Sequence, residues 1–199
     1  MGTTRLEIKE LPKPAVRDGA VEEYLTEFAN SLSPMQKEWF YWTNFSRSKP
    51  KVFWDSVVAP ILVTFPNLKT SYTASLKKDL YKAETLSLLK PNEKLMTLAQ
   101  SHAKELQNKN APPSHDSPSG VTFQSRMMSG GVQKCAGENL SFGPSNTVLA
   151  LLFLFIDEGI PDLGHRKALL SPDYKEMGVG LATYKNGNTL VIQDFSCPQ

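Results

Sequence analysis

Apolar positions recur at helical spacing through much of the chain and switch to alternation near its end. The clearest helix signal opens at "SPMQKEWFYWTNFSR". Ser33 suits the N-cap, Pro34 the first helical position, and Gln36 completes a capping box. Trp39, Phe40, Trp42 and Phe45 follow, so this helix is expected to be buried on more than one side. "KVFWDSVVAPILVTFP" predicts a second helix, broken before Pro60 and ended by Pro66. "SYTASLKKDLYKAETLSLLKP" reads as part helix, part connector. From the Asn92 cap onward, Leu95, Leu98, Ala99, His102 and Leu106 share one helical face. After the loop "NAPPSHDSPSG" come a short helix ended by glycines ("VTFQSRMMSGG"), a loop or short strand ("CAGENLSFG") and a buried helix ("NTVLALLFLFIDEG"). Two strand-like runs, "EMGVGLATY" and "TLVIQDFSC", flank Asn186-Gly187, a strong hairpin signal.

This order predicts an α+β fold, with helices packed on a small, mostly antiparallel sheet. A chain of 199 residues is one domain, or one domain plus an arm. Residues 1–32, polar and carrying Pro12 and Pro14, read as an N-terminal arm or linker with one helical turn near "VEEYLTEFANSL". The net charge of +2 supplies no electrostatic case for nucleic acid or an anionic membrane as the main partner. The densest apolar run, Val148 to Ile156, is too short to span a bilayer. Cys135 and Cys197 fit either two free thiols or one disulfide, and spacing leaves both open.

Candidate chemistry lies mainly in the loops. His115 in "PPSHDSPSG" suits a cleft or plain solvent. His165 follows a glycine that permits close backbone approach, and it equally suits a helix start satisfied by backbone. Neutral imidazoles bind metals and also do acid–base work near neutral pH. Glu138 in "CAGENL" could orient an imidazole. Glu158 closes an apolar helix, where a polar residue is ordinary, and Asp157 competes with it for any role. His102, on an apolar face, reads as a core histidine. A phosphate loop, a His-Glu-x-x-His helix, a Gly-x-Ser-x-Gly elbow and a Cys-x-x-Cys pair are all absent.

Taken in order, "SHDSPSGVTFQSRM", "CAGENLSFG", "FIDEGIPDLGHRKALLSP" and "EMGVGLA" resemble the CAP superfamily of cysteine-rich secretory, antigen 5 and pathogenesis-related proteins, in its bacterial SCP-like form. Asn44 and Arg47 in "WTNFSR" match the Asn-x-x-Arg of the family's first helix. The resemblance covers about residues 33–199, with 48–91 read as a family-specific helical insertion. It implies an α-β-α sandwich with a cleft formed by His115, Glu138, Glu158 (or Asp157) and His165. It also implies a divalent metal, such as zinc, on His115 and His165. Phe155 stands where animal members have tryptophan, and Arg166 where they have an aromatic residue. Cys135 and Cys197 are the single pair available for a disulfide.

Three functions fit this resemblance. The first is an extracellular or cell-envelope module whose cleft binds a metal, a lipid, another small ligand, a glycan or a protein. The second is a metal-dependent or acid–base hydrolase using the same four groups. The third is a buried polar network that braces loops. A monomer is expected. "MGTTRLEIKE" has no apolar leader core, so an exported chain would have lost its signal peptide before this start.

Overall fold

The computed structural model describes residues 10–13, 16–143 and 145–198. Within the segment expected as an arm, α1 (Gly19–Thr26) is capped by Asp18, whose side chain accepts from the Ala20 and Val21 N–H groups. Val21 and Leu25 are buried against α2 (Pro34–Ser48). Residues 1–9, 14 and 15 of that segment lie outside the described residues.

The sequence signals of α2 hold. Ser33 and Gln36 form a reciprocal capping box with Pro34 at the start, and every residue from Trp39 to Arg47 is buried. The next stretch differs from the sequence expectation. The chain passes Pro60 without a break: α3 (Pro50–Phe53) runs through a π-helical turn (Trp54–Val58) into α4 (Ala59–Thr64). The π turn resets the hydrogen-bond ladder by one residue, and the Ala59 N–H donates to the Trp54 carbonyl. Pro60 therefore stands in the first turn of a new helical stretch, where its missing N–H costs nothing. A 3-10 turn at Pro66–Leu68 leads to α5 (Ser71–Lys82).

The rest of the chain builds the sheet and its second cover. The two-residue strand β1 (Lys90–Pro91) precedes α6 (Glu93–Asn108), capped by Asn92, and α7 (Phe123–Ser129). The segment "AGENLSFG", left open between loop and strand by its sequence, is β2 (Ala136–Gly143). Then come α8 (Thr147–Ile156), α9 (Gly164–Leu169) and the hairpin β3 (Glu176–Thr183) and β4 (Thr189–Ser196), with Gly187 at φ 82° in its turn. Among the described residues the sheet order is β1-β3-β4-β2, antiparallel except for β1 beside β3.

This is an α+β sandwich of three layers. On one face Met177, Val179, Val191 and Phe195 join the main core with α2 and α8. On the other, Ala99, Ala103 and Leu106 of α6 meet Ala182, Leu190 and Ile192. Contact with α6 is close because β3 presents Gly178 and Gly180 to it. A Cβ at either position would collide with the backbone of Leu95 or Ala99.

A disulfide joins Cys135, just before β2, to Cys197, just after β4. It closes a loop across a sequence separation of 62 residues. On the chain-entropy account, replacing both cysteines by serine is expected to cost about 4 kcal/mol, read as a lower urea midpoint with a steeper slope, because the denatured chain without the cross-link is more expanded.

Candidate functional site

The site is built around the first residues of β2, a strand at the edge of the sheet. Side chains on a strand alternate between faces. Gly137 and Asn139 therefore face the layer of α8 and α9, while Glu138 faces the layer of α6 and α7. One short segment thus serves both layers.

On the α6 side, the Glu138 carboxylate is buried, with its side chain 1% exposed. One oxygen accepts from His115 Nδ1 at 2.8 Å, and the other from the Arg126 guanidinium at 2.5 Å. Arg126 also donates to the His115 carbonyl at 3.0 Å, so one cation fixes both the loop and the acid. The His115 side chain is 55% exposed, at the cleft rim. Because a carboxylate can only accept, Nδ1 carries a proton, and in the neutral tautomer Nε2 is the nitrogen that holds the lone pair.

On the other side, Asp157 ends α8 in the left-handed region, at φ 57°. That turn brings its buried carboxylate onto the start of α9. It accepts from the His165 N–H at 2.9 Å, the Arg166 N–H at 3.3 Å and His165 Nδ1 at 2.7 Å. In the neutral tautomer of His165 the lone pair is therefore on Nε2 as well. Of the two acids considered for this place, Asp157 is the one bonded to His165. Glu158, one residue on, is exposed and does not line the cleft. Which of the two faces inward is set by a backbone dihedral at the helix end.

His115, Glu138 and His165 line a cleft of about 570 Å³, together with Gly137, Lys167, Ser171 and Tyr174. A Cβ at Gly137 would collide with the Tyr174 hydroxyl. Tyr174 also stacks on Phe195 at 5.4 Å, and burial raises its pKa. His102 stays out of the cleft lining. Buried on α6, it donates from Nε2 to the Ser114 carbonyl at 2.9 Å, and desolvation lowers its pKa. It thus anchors the residue next to His115.

Two buried guanidiniums hold the far wall. Arg47 on α2 donates to the carbonyls of Leu169, Ser171 and Tyr174 at 2.8, 2.9 and 3.1 Å, and desolvation lowers its pKa to about 10. Asn44, one turn earlier, pairs in both directions with the main chain of Leu89. Arg166 donates to the carbonyls of Phe155, Ile156 and Tyr72, and to the side chains of Ser75 and Asp79.

Arg126, Tyr174 and Asp194 were not picked out by sequence reasoning. Asp194 is buried on the central strand β4, directly opposite Glu138. Its signal was present: Gln193-Asp194 interrupts an otherwise apolar run, "TLVIQDF". Among the described residues, no group of three or more His, Cys, Asp or Glu side chains is placed to hold a metal.

Residues 78–195 match the model of the CAP family, the cysteine-rich secretory protein family, and the chain belongs to it. No curated protein sequence matches it. Among solved structures, it is similar to an extracellular protein containing an SCP domain from Bacillus anthracis, at 32% identity and TM-score 0.47. That match covers 57% of this chain but only 35% of the Bacillus anthracis chain. An outer surface protein from Borrelia burgdorferi is 19% identical, with TM-score 0.47, over 69% of this chain and 91% of that one. A cysteine-rich secretory protein from Staphylococcus aureus is 20% identical, with TM-score 0.40, over 64% of this chain and 38% of that one.

The two neighbouring acids are expected to respond very differently to truncation. Asp157→Ala strands two backbone donors and the His165 imidazole, and should cost about 2–4 kcal/mol in denaturant unfolding. Glu158→Ala should stay within about 0.5 kcal/mol of wild type.

Proposed function

We propose that this CAP domain is a binding module whose cleft takes a divalent metal, zinc in the first instance, on Nε2 of His115 and His165. The observation that carries the reading is the pairing of each imidazole with a buried carboxylate. Glu138 and Asp157 hold the two Nδ1–H groups, and both rings line the same cleft. Such carboxylate–histidine pairs orient metal ligands and raise their basicity. The donor set fits an open site rather than a closed one. It offers two nitrogens, while structural zinc has four protein ligands and catalytic zinc commonly three. Each Glu138 oxygen already accepts a hydrogen bond, one from His115 and one from Arg126, and the acid is not counted as a ligand.

A metal held this way supplies Lewis acidity to a bound ligand's oxygen. The protein's own part is to hold the rings, exclude water behind Glu138 and Asp157, and offer Lys167, Ser171 and Tyr174 along the wall. The volume suits a small ligand. The disulfide fits an oxidising setting, outside the cytoplasm or at the cell envelope. No helix among the described residues is long and apolar enough to cross a membrane.

Calorimetric titration of zinc into the metal-free protein tests the reading. Wild type is expected to bind. The double variant His115→Ala with His165→Ala is expected to lose the binding heat while its circular dichroism stays native. Absence of binding by wild type, or binding that survives in the double variant, refutes the site. Assays on peptide, ester and peptidoglycan substrates separate a hydrolase from a binding module. Turnover lost with the two histidines would replace the binding reading by the hydrolytic one.

A further inference from the structure

Behind Glu138 lies a second carboxyl that the cleft chemistry leaves unused. Asp194 is 0% exposed, and no donor among the described residues reaches either of its oxygens. Its strand register sets Glu138 on one side and Gly178 on the other, so β3 contributes no side chain to screen or bond it. Across the β2–β4 register the group it faces is the Glu138 carboxyl. Two facing carboxyls form a hydrogen bond only when one of them carries a proton.

The geometry decides which one. Both oxygens of Glu138 already act as acceptors, one from His115 and one from the Arg126 guanidinium, and an acceptor oxygen cannot also carry the shared proton. Asp194 receives none. An ionised carboxylate buried without a protein donor is costly in the interior, and such a group takes up a proton instead. We propose that Asp194 is a neutral carboxylic acid that donates its O–H to Glu138. It is thereby a positioning residue, one that fixes the Glu138 carboxylate and through it the His115 ring.

The groups around Asp194 agree with this assignment. Burial and the Glu138 charge on β2 push its carboxyl well above the usual range, while Arg126 on α7 pulls the other way. From α6 comes His102, whose pKa burial lowers, with Arg126 and Glu138 among its own electrostatic neighbours. The linkage sign follows. A carboxyl whose pKa is raised on folding binds its proton more tightly in the native state. Its stabilising contribution is present below the unfolded carboxylate value and falls as pH rises towards the raised folded value. In Asp194→Asn this portion of the pH dependence disappears, because the amide donates to Glu138 at every pH.

Infrared spectroscopy of the metal-free protein at neutral pH is the direct test. Wild type should show the C=O stretch of a protonated buried carboxyl, and Asp194→Asn should lack it. Absence of that band from wild type overturns the proposal. NMR titration of the His115 ring gives a second readout: Asp194→Asn should match wild type, and Asp194→Ala should shift. An Asn variant that shifts like the Ala variant would also overturn it.

A zinc readout rests on the cleft reading above, and there Asp194→Ala should bind about 10-fold more weakly. If zinc fails to bind wild type, that reading falls, while the infrared band and the ring titration still decide Asp194. If the Ala variant does not fold, the comparison of wild type with the Asn variant suffices.

Discussion

The candidate site depends on a constraint that the chain between α8 and β3 must satisfy. Apart from the short helix α9 that segment is irregular, yet part of it is packed inside the protein, and buried carbonyls require donors. Two guanidiniums supply them. Arg166 takes the carbonyls that end α8, and Arg47 takes those on either side of the Ser171 turn. Each is buried and many-handed in a way lysine cannot match, because a guanidinium presents five donors in a fixed plane. His165 sits between the two anchors, so its position is set mainly by main-chain satisfaction. Arg166 also reaches Tyr72, Ser75 and Asp79 on α5, which ties the helical stretch before β1 to the cleft.

The opposite half of the site has a different foundation. There the sheet does the positioning. Glycines on β3 let α6 lie flush, the β2–β4 register pairs Glu138 with Asp194, and Arg126 closes the group from α7. One imidazole is thus held by a strand-borne acid, and the other by an acid at a helix end. The two acids reach opposite sides of the sheet edge, and β2 is where these two constructions meet.

Much of this was legible in the sequence because local chemistry marks it. The Ser33–Gln36 box, the Asn92 cap, the apolar face of α6 and the Asn186-Gly187 turn are each specified by neighbours a few residues apart. The family motifs named His115, Glu138 and His165, which line one cleft. What could not be read depends on long-range geometry. Pro60 reads as a break because the π turn that accommodates it has no sequence signature. The choice between Asp157 and Glu158 hung on one left-handed dihedral. Arg126 and Asp194 gain meaning only from the register of β2 against β4. Asp194 left a faint trace as an acid in an apolar strand. An acid in such a run is costly to bury, so its presence there implies a specific polar neighbour across the sheet.

The disulfide sits beside this arrangement in a telling place. It ties the first residue before β2 to the first residue after β4, next to the Gly137–Glu138 pair. The two imidazoles belong to different layers, so any slippage of one layer past the other would change the gap between them. The cleft is in effect a caliper whose jaws are mounted on separate plates, and the cystine clamps the two adjacent strands of the sheet at the end where the jaws meet.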